Sequence, residues 1–368
     1  MSSTARSDTG PRFVHDALAS RVVFGAGRAR TSLAEEVDQL GGQRVMVIAT
    51  GHERALAGEL VAGLGERIVT TFDGVRPHVP IEVAEAARAQ ADAAEVDLLL
   101  SVGGGSTTGT AKAIALTSGR PILAIPTTYA GSEVTPVWGL TEHGNKTTGR
   151  DPVVLPRTVI YDAELTLTLP AELSAASGLN ALAHAVEAFW APGRTPISSA
   201  FAETAIRALA SGLPGVVDDG SDVAARGEML LGAWLAGAAF ATAGSGLHHK
   251  ICHVLGGMYD LPHAETHAIV LPHVLAFNAP HAADAAARIA TALDVPGAVT
   301  GLVELARRVG APGGLHEVGV REEQLDAVID PVVATVPEDN PRRVDREAIA
   351  ALLHRAWAGP PPIDTLDG

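Results

Sequence analysis

Four short apolar runs, each ended by turn residues, divide the first half of the chain. They are "RVMVIAT" (44–50), "RIVTTFDG" (67–74), "VDLLLSVGGG" (96–105) and "PILAIPTT" (121–128). The runs do not alternate apolar and polar residues, which is typical of strands covered on both faces. Helical segments such as "PIEVAEAARAQADAAEV" separate them. This order predicts βαβ units that form a parallel sheet with helices on both faces.

The pattern changes after about residue 166. Segments 21–27 and 157–162 predict an edge hairpin and a final strand, whereas "LSAASGLNALAHAVEAFWA" and "DREAIAALLHRAWAG" have helical periodicity. We therefore expect a disordered tail over residues 1–12, a dinucleotide-binding α/β domain over 13–165 and an all-helical domain over 166–368. A functional site is expected in the cleft between the two domains.

Charge and cysteine content exclude several classes of protein. A formal net charge of −15 disfavours nucleic-acid binding, which needs a basic surface. The single cysteine excludes an intrachain disulfide and a CxxC zinc site, so a reducing cytoplasm is expected. The uncharged stretch 229–247 approaches membrane-spanning length, but its Ala and Gly content predicts a buried helix instead. No membrane partner is expected.

The stretch "LLLSVGGGSTTGTAKAIAL" predicts a strand, a glycine turn and a helix. Gly103, Gly104 and Gly105 let the backbone approach a phosphate, and Ser106 begins a helix whose first N–H groups point towards it. The spacing matches neither the common dinucleotide fingerprint nor a Walker A loop. A pyrophosphate site is the favoured interpretation, and a tight turn without a ligand is the alternative.

A second polar turn, "PTTYAGSEVT" (126–135), follows the next predicted strand. Ligands of open α/β sheets bind at the carboxyl ends of the strands, so both turns are expected to contact a nicotinamide cofactor. The second turn supplies hydroxyl groups for the ribose or the nicotinamide, from Thr127, Thr128, Ser132 and Thr135. Lys112 is expected on the cofactor side. Because Thr50 stands where an acidic residue would bind the ribose 2′-hydroxyl, we expect both NADH and NADPH to bind.

Six of the fourteen histidines lie between positions 248 and 273. If "GLHHKICHVL" is a helix that ends at Gly256 and Gly257, then His249 and His253 share one face. Pro262 begins a further helix on which His263 and His267 share a face, and Asn180 and His184 lie one turn apart on a third. Each histidine alone could be a capping or core residue. Their clustering favours a ligand or proton-transfer site, because burying several imidazoles without function is costly.

Several motifs together resemble the iron-containing alcohol dehydrogenase family. They are "SVGGGSTTG", "TYAGSEVTPVWGLTE", "NALAHAVEA", "GLHHKICHVLGG" and "LPHAETHAIVLPH", and the similarity extends from about Arg21 to Pro361. Within that family they are similar to the maleylacetate reductases, as are "KTTGRDP" and "LPRTVIYD". The resemblance implies the dehydroquinate synthase-like architecture of an α/β domain followed by a helical domain.

Members of this family hold a divalent metal with an Asp, a His four residues later and two His fourteen residues apart. The matching positions are Asn180, His184, His249 and His263. Asparagine in place of aspartate removes the only negative charge, and Lys250 adds a nearby cation, so iron or zinc should bind weakly. We expect the metal to be absent or dispensable. A second departure is Gly109, where the family often has an aspartate near the cofactor ribose.

The resemblance implies reduction of the conjugated C=C bond of maleylacetate, a dianionic keto acid, to 3-oxoadipate in aromatic catabolism. His249, Lys250 and His253 are expected around the developing oxyanion or as proton donor, and His184 and His263 complete the pocket. Substrate contacts are expected from Lys146 and Arg150 in the "NKTTGR" loop, whose alternative is a solvated turn, and from Tyr129 and Asn180. A homodimer is expected from the family.

Two other functions fit the same residues. One is a metal-dependent alcohol or polyol dehydrogenase that uses iron or zinc in the same pocket. The other is a lyase, cyclase or sugar-phosphate synthase that reuses the scaffold without net redox change.

Overall fold

A computed structural model of the chain describes residues 13–142 and 145–359, and the side chains of Asn145 and Lys146 lie outside that description. The tail expected over residues 1–12 also lies outside the described residues.

A six-stranded parallel sheet forms the first half of the molecule. Its strands stand in the order β1, β8, β5, β4, β2, β3, and β4 pairs in parallel with both β2 and β5. The bounds are β1 Arg21–Phe24, β2 Val45–Ile48, β3 Ile68–Phe72, β4 Leu98–Gly103, β5 Ile122–Pro126 and β8 Thr158–Tyr161. Two further strands, β6 Val137–Glu142 and β7 Asn145–Arg150, form a separate antiparallel hairpin.

Four helices cover the two faces of the sheet. They are α1 Arg28–Gln39, α2 Arg54–Val61, α3 Ile81–Ala93 and α4 Gly105–Ser118. One apolar cluster joins α1 and α2 to the sheet through residues such as Leu33 and Leu60, and a second joins α3 and α4 through Ala87 and Ile114. Both faces are therefore buried, which explains the unalternated apolar strands and confirms the predicted α/β arrangement.

Nine helices in the described residues form the second half. They are α5 Ala171–Glu187, α6 Pro196–Asp218, α7 Val223–Ala243, α8 Leu247–Tyr259, α9 His263–Asn278, α10 Ala283–Leu293, α11 Ala298–Arg308, α12 Asp326–Val333 and α13 Arg346–Ala358. The change from sheet to helices falls between the end of β8 and the start of α5. A helical C-terminal domain is thereby confirmed, and the exact limits 13–165 and 166–368 stay a prediction.

Three local predictions are wrong. β1 pairs in parallel with β8, from Arg21 beside Thr158 to Phe24 beside Tyr161, so it is not half of an edge hairpin. The hairpin is instead β6 and β7, and "NKTTGR" is a strand rather than a loop. Its β-branched threonines favour extended backbone. Finally, α8 does not end at Gly256 and Gly257 but continues to Tyr259, because packing of its apolar face outweighs the low helix propensity of glycine.

Most of the uncharged stretch 229–247 belongs to α7, which lies in the helical core. It packs against α6 and α5, and a Cβ on its Gly232 would lie 2.6 Å from Leu209 Cγ, so small residues permit this close contact. α7 and α8 meet at a bend of 98°. In length and composition Ala283–Arg308 also resembles a membrane span, but it consists of α10 and α11, both of which pack against α6. These segments are those of a packed helical domain.

Candidate functional site

A cavity of about 550 Å³ lies where the two domains meet. The sheet domain contributes His78 and Thr141 to its wall, and the helical domain contributes residues from α8 to the start of α9. The latter are Cys252, His253, Gly256, Gly257, Met258, Tyr259, Asp260, Leu261 and His263. The cavity therefore brings predicted catalytic histidines to the domain boundary.

The glycine turn leads from β4 into α4. Gly103 has φ 148°, and a Cβ there would lie 2.5 Å from Thr107 Oγ1 and 2.9 Å from both Glu53 carboxylate oxygens. A Cβ on Gly104 would lie 3.0 Å from Thr128 Cγ2. Gly104 caps α4 without a side-chain hydrogen bond, which leaves the N–H groups of the first turn for a ligand. These features fit the predicted phosphate site.

Glu53 joins the carboxyl ends of three strands. Its carboxylate accepts a hydrogen bond from Thr127 Oγ1 at 2.9 Å and another from the Thr50 hydroxyl, and it lies beside Gly103. The sequence interpretation considered only Thr50 at this edge and missed the acidic residue. Thr50 followed three residues later by glutamate is the capping-box spacing, and that pattern points to Glu53.

Lys112 holds the second polar turn in place. Its buried ammonium group donates to the carbonyl oxygens of Ser132 at 2.6 Å, Thr135 at 2.7 Å and Val137 at 2.8 Å. Burial lowers the pKa of Lys112 to about 7, against the opposing influence of Glu133. These carbonyls occupy its three N–H donors, so Lys112 shapes the turn, and the expected placement of Lys112 on the cofactor side stays a prediction.

Tyr129 is a core residue between the domains. It is fully buried, and its hydroxyl accepts a hydrogen bond from Arg226 Nη1 at 3.2 Å and lies 3.5 Å from Thr166 Oγ1. The structure does not support the prediction that Tyr129 contacts the substrate, because its polar atom points into the helical domain.

The predicted histidines gather next to the second turn. His249 is buried and His184 is half-buried, and their rings stack at 5.1 Å between centroids. A Cβ on Gly131 would lie 3.7 Å from His184 Nδ1, so the sheet domain touches this pair. His253 lies 6.0 Å from His249 between ring centroids, and both His253 and His263 are exposed on the cavity wall. The two domains thus share a histidine-lined crevice.

Glu187 supplies a buried carboxylate that the sequence interpretation missed. Its Oε2 accepts a hydrogen bond from His249 Nδ1 at 2.5 Å, and its Oε1 accepts one from the backbone N–H of His248 at 2.7 Å. Burial raises the pKa of Glu187 and lowers that of His249 well below its usual value. The contact orients the His249 ring, whose Nε2 has no partner among the described residues. Glu187 lies one turn after His184 on the same helix, and this spacing was the sequence signal that could have placed Glu187 near the histidines.

A second histidine group lies deeper in the helical domain. His248 Nε2 lies 2.8 Å from His267 Nδ1, and Cys252 Sγ lies 3.8 Å from the same His248 atom. Burial lowers the pKa of His248 to about 3 and raises that of the Cys252 thiol well above its usual value. The His248 imidazole and the Cys252 thiol are therefore uncharged at neutral pH, and hydrogen bonds hold the group together.

The residues at the family's metal positions fit a divalent ion poorly. Asn180 offers only a neutral amide oxygen, so no carboxylate stands at these four positions to balance the charge of a divalent ion. In the part of the chain that the structure describes, the one His, Cys, Asp or Glu group with donor atoms within 4.8 Å of one another is His248, Cys252 and His267. Two of those atoms are hydrogen-bonded to each other. No chemical step is assigned to a metal here.

Four other predicted residues occupy different surroundings. Asn180 is buried beside the histidines, and its Oδ1 has no hydrogen-bond partner among the described residues. Lys250 is half-buried and is not among the residues that line the cavity. Arg150 is exposed on β7 and also does not line it. The Lys146 side chain lies outside the described residues.

The glycine turn and the histidine-lined cavity define a two-domain oxidoreductase of the dinucleotide-binding class. Two family models match the chain: "Iron-containing alcohol dehydrogenase" over residues 19–163 and "Fe-containing alcohol dehydrogenase family, C-terminal" over residues 174–357. The chain belongs to the iron-containing alcohol dehydrogenase family.

Particular relatives are similar along nearly the whole chain. A maleylacetate reductase of Burkholderia cepacia is 48% identical over 350 residues, which cover 95% of this chain and 99% of the relative. The crystal structure of an iron-containing alcohol dehydrogenase from Corynebacterium glutamicum is 50% identical with a TM-score of 0.94, covering 96% and 99% of the two chains. A maleylacetate reductase structure from a Rhizobium strain is 47% identical with a TM-score of 0.91, covering 95% and 99%.

The contact between Glu187 and His249 can be tested by Glu187→Gln. The amide keeps the side-chain volume but places an N–H donor where a carboxylate oxygen now accepts. We expect kcat to fall by about 10- to 100-fold, the usual effect of losing a hydrogen bond to a charged group. Steady-state kinetics provide the measurement, with Glu172→Gln, at an exposed position of the same helix α5, as control. A Glu187→Gln variant that folds and keeps wild-type kcat would remove Glu187 from this role.

Buried neutral histidines should make the fold acid-sensitive. Burial lowers the pKa of His248 to about 3 and that of His273 to about 4, while an unfolded histidine titrates near 6.5. Below pH of about 6.5 the unfolded chain therefore binds more protons, and the free energy of unfolding falls by up to about 1.4 kcal/mol per pH unit for each histidine. Denaturant titrations between pH 7 and pH 5, each about a unit apart, measure this slope. A His273→Gln variant should show a smaller slope, and equal slopes would contradict the assignment.

Proposed function

We propose that this enzyme reduces the conjugated C=C bond of maleylacetate to 3-oxoadipate with a reduced nicotinamide cofactor. The observation that carries the proposal is the cavity between the domains, because exposed histidines line its wall. The glycine turn lies behind it, against Thr128 of the second turn, whose Gly131 meets His184. The similar maleylacetate reductases support the same substrate. The overall charge of −15 makes local N–H donors necessary for a dianion.

A reduced nicotinamide, when bound beside the glycine turn, would supply the hydride that adds to the alkene carbon of the substrate. Negative charge then develops on the conjugated ketone oxygen, and N–H donors stabilise it. His253 and His263 stand on the cavity wall, where either imidazole can donate a hydrogen bond to that oxygen or a proton to the neighbouring carbon.

The buried residues behind this wall orient the exposed ones. Glu187 fixes the ring of His249, which contacts His253 edge to face. His184 stacks on His249 from the other side and contacts the second turn of the sheet domain. In this arrangement His249 and His184 form a rigid support, and Asn180 presents a buried amide oxygen next to them.

We propose that the reaction requires no metal. The neutral Asn180, where the family resemblance implies a carboxylate, supports this proposal. Among the described residues, the one group of donor atoms close enough to share an ion does not include His184, His249 or His263. The metal-dependent alcohol dehydrogenase alternative requires chelator-sensitive activity. The cytoplasmic location, the homodimer and the carboxylate contacts of Lys146 and Arg150 remain predictions.

Kinetics with maleylacetate test the proposal directly. We expect oxidation of the reduced nicotinamide that depends on maleylacetate, yields 3-oxoadipate and persists after treatment with a strong chelator. His253→Ala should lower kcat by about 100-fold or more, the usual contribution of a general acid, while cofactor binding stays unchanged. Nicotinamide absorbance and product analysis provide the measurement.

Two variants serve as comparisons for His253→Ala. His281→Ala changes an exposed histidine outside the cavity and should leave kcat at the wild-type value. Lys250→Ala should have a smaller effect than His253→Ala, because Lys250 does not line the cavity. Absence of maleylacetate turnover, or complete loss of activity with chelator, would refute the corresponding part of the proposal.

Glu53 supports a preference for NADH over NADPH. A carboxylate at the carboxyl end of a parallel sheet accepts a hydrogen bond from the ribose 2′-hydroxyl and repels a 2′-phosphate. Thr50 and Thr127 hold this carboxylate beside the glycine turn. This proposal narrows the sequence expectation that both cofactors bind.

Glu53→Gln tests the cofactor preference. The amide keeps the contacts with both threonine hydroxyls but removes the negative charge, so kcat/KM for NADPH relative to NADH should rise by about tenfold, corresponding to about 1.4 kcal/mol. Parallel assays with the two cofactors measure the ratio. Glu59→Gln, on the exposed side of α2, is the matched control. An unchanged ratio in Glu53→Gln would place the 2′ position elsewhere.

A further inference from the structure

One segment of the sheet domain that reaches the cavity wall has an unusual backbone conformation. His78 and Val79, which precede α3, have φ of 61° and 48°. The left-handed region is unfavourable for residues other than glycine, and most of all for a β-branched residue such as valine. Two successive residues in this conformation require support from their surroundings, and such segments concentrate at functional sites.

Contacts from two elements hold this segment. Thr141 on β6 donates its hydroxyl to the His78 carbonyl at 2.8 Å and its backbone N–H to the Val79 carbonyl at 3.1 Å. On the other side, a Cβ on Gly109 of α4 would lie 2.9 Å from Val79 Cγ2. The helix that follows the glycine turn therefore packs directly beneath the segment. His78 is thus fixed relative to the cofactor side of the cleft.

The His78 side chain faces the helical domain across the cavity. It lines the cavity together with His253 and His263, which come from the helical domain. Its Nε2 lies 3.9 Å from Oδ1 of Asp260, the residue after α8. The side chains of His78 and Asp260 are 38% and 95% exposed, so a solute can reach both. Because the His78 imidazole faces the Asp260 carboxylate, it is oriented to contact a carboxylate of a substrate bound in the cavity.

We propose that His78 binds one carboxylate of the dianionic substrate, which takes the place of Asp260 as the carboxylate that faces the His78 imidazole. The inference rests on the proposed function, because it assigns a substrate contact in that cavity. It adds a binding residue from the sheet domain to the histidines of the helical domain. The negative charge of Asp260 then repels the substrate carboxylate and lowers the affinity for the substrate, whereas His78 raises that affinity.

The main test is His78→Ala in the full-length enzyme. KM for maleylacetate should rise by about 10- to 100-fold, as expected for a lost hydrogen bond to a charged group, with KM for NADH unchanged. The dissociation constant of the product 3-oxoadipate, measured by calorimetry with NAD⁺ present, should rise by a similar factor. His354→Ala is the matched control, because His354 also contacts a carboxylate, Glu322, but on the exposed surface.

Two conservative variants separate binding from backbone damage. Asp260→Asn should lower KM for maleylacetate, and it suits the left-handed backbone at φ 50°, which asparagine tolerates. Thr141→Val removes the hydroxyl that holds the His78 carbonyl and should raise KM less than His78→Ala does. Opposite signs for Asp260→Asn and His78→Ala are not expected from a merely structural role.

A substrate analogue identifies the carboxylate that His78 binds. 4-Oxopent-2-enoate keeps the alkene, the ketone and one carboxylate but lacks the second. If His78→Ala raises KM only for maleylacetate, the missing carboxylate is the one bound; if it raises KM for both compounds, the retained one is bound. Wild-type KM and 3-oxoadipate affinity in a folded His78→Ala enzyme would overturn the role of His78. Wild-type protein that neither reduces maleylacetate nor binds 3-oxoadipate would instead overturn the proposed function.

Discussion

The buried ammonium group of Lys112 fixes the geometry on which the site depends. It ties α4 to the turn between β5 and β6 through three carbonyl oxygens. That turn in turn meets α7, where a Cβ on Gly237 would lie 3.1 Å from Val134 Cβ, and it lies beside His184. One cation thus aligns the glycine turn of the sheet domain with the histidines of the helical domain. An arginine could not reproduce this contact, because its planar fork differs from a compact ammonium with three donors.

Most of the fold could be predicted from local pattern. Unalternated apolar runs marked β2 to β5, and the glycine turn after β4 stands where its sequence predicts. The pairing of β1 with β8 could not be predicted, since it joins segments more than a hundred residues apart. The extension of α8 through Gly256 and Gly257 was also missed, because tertiary packing decides it rather than helix propensity.

The site was predictable in its residue types and less so in its partners. Helical spacing placed His249 with His253 on one face, and the structure brings both to the crevice. The sequence analysis missed three residues because the partner of each is distant in sequence. Glu187 contacts His249, Glu53 contacts Thr127, and His78 faces Asp260. The sequence analysis expects a substrate contact from Tyr129, whereas the direction of its hydroxyl is set by Arg226 in the other domain.

The glycines of α8 set the shape of the cavity floor. Gly256 and Gly257 line the cavity, and a methyl group at either position would meet nothing within 4 Å. This wall leaves spare volume next to the histidines, so steric exclusion contributes little to discrimination there. Selectivity between substrates must then come from the placement of charges and hydrogen-bond donors. A substrate analogue with an extra halogen or methyl group would fit the cavity as long as its acidic groups kept their spacing.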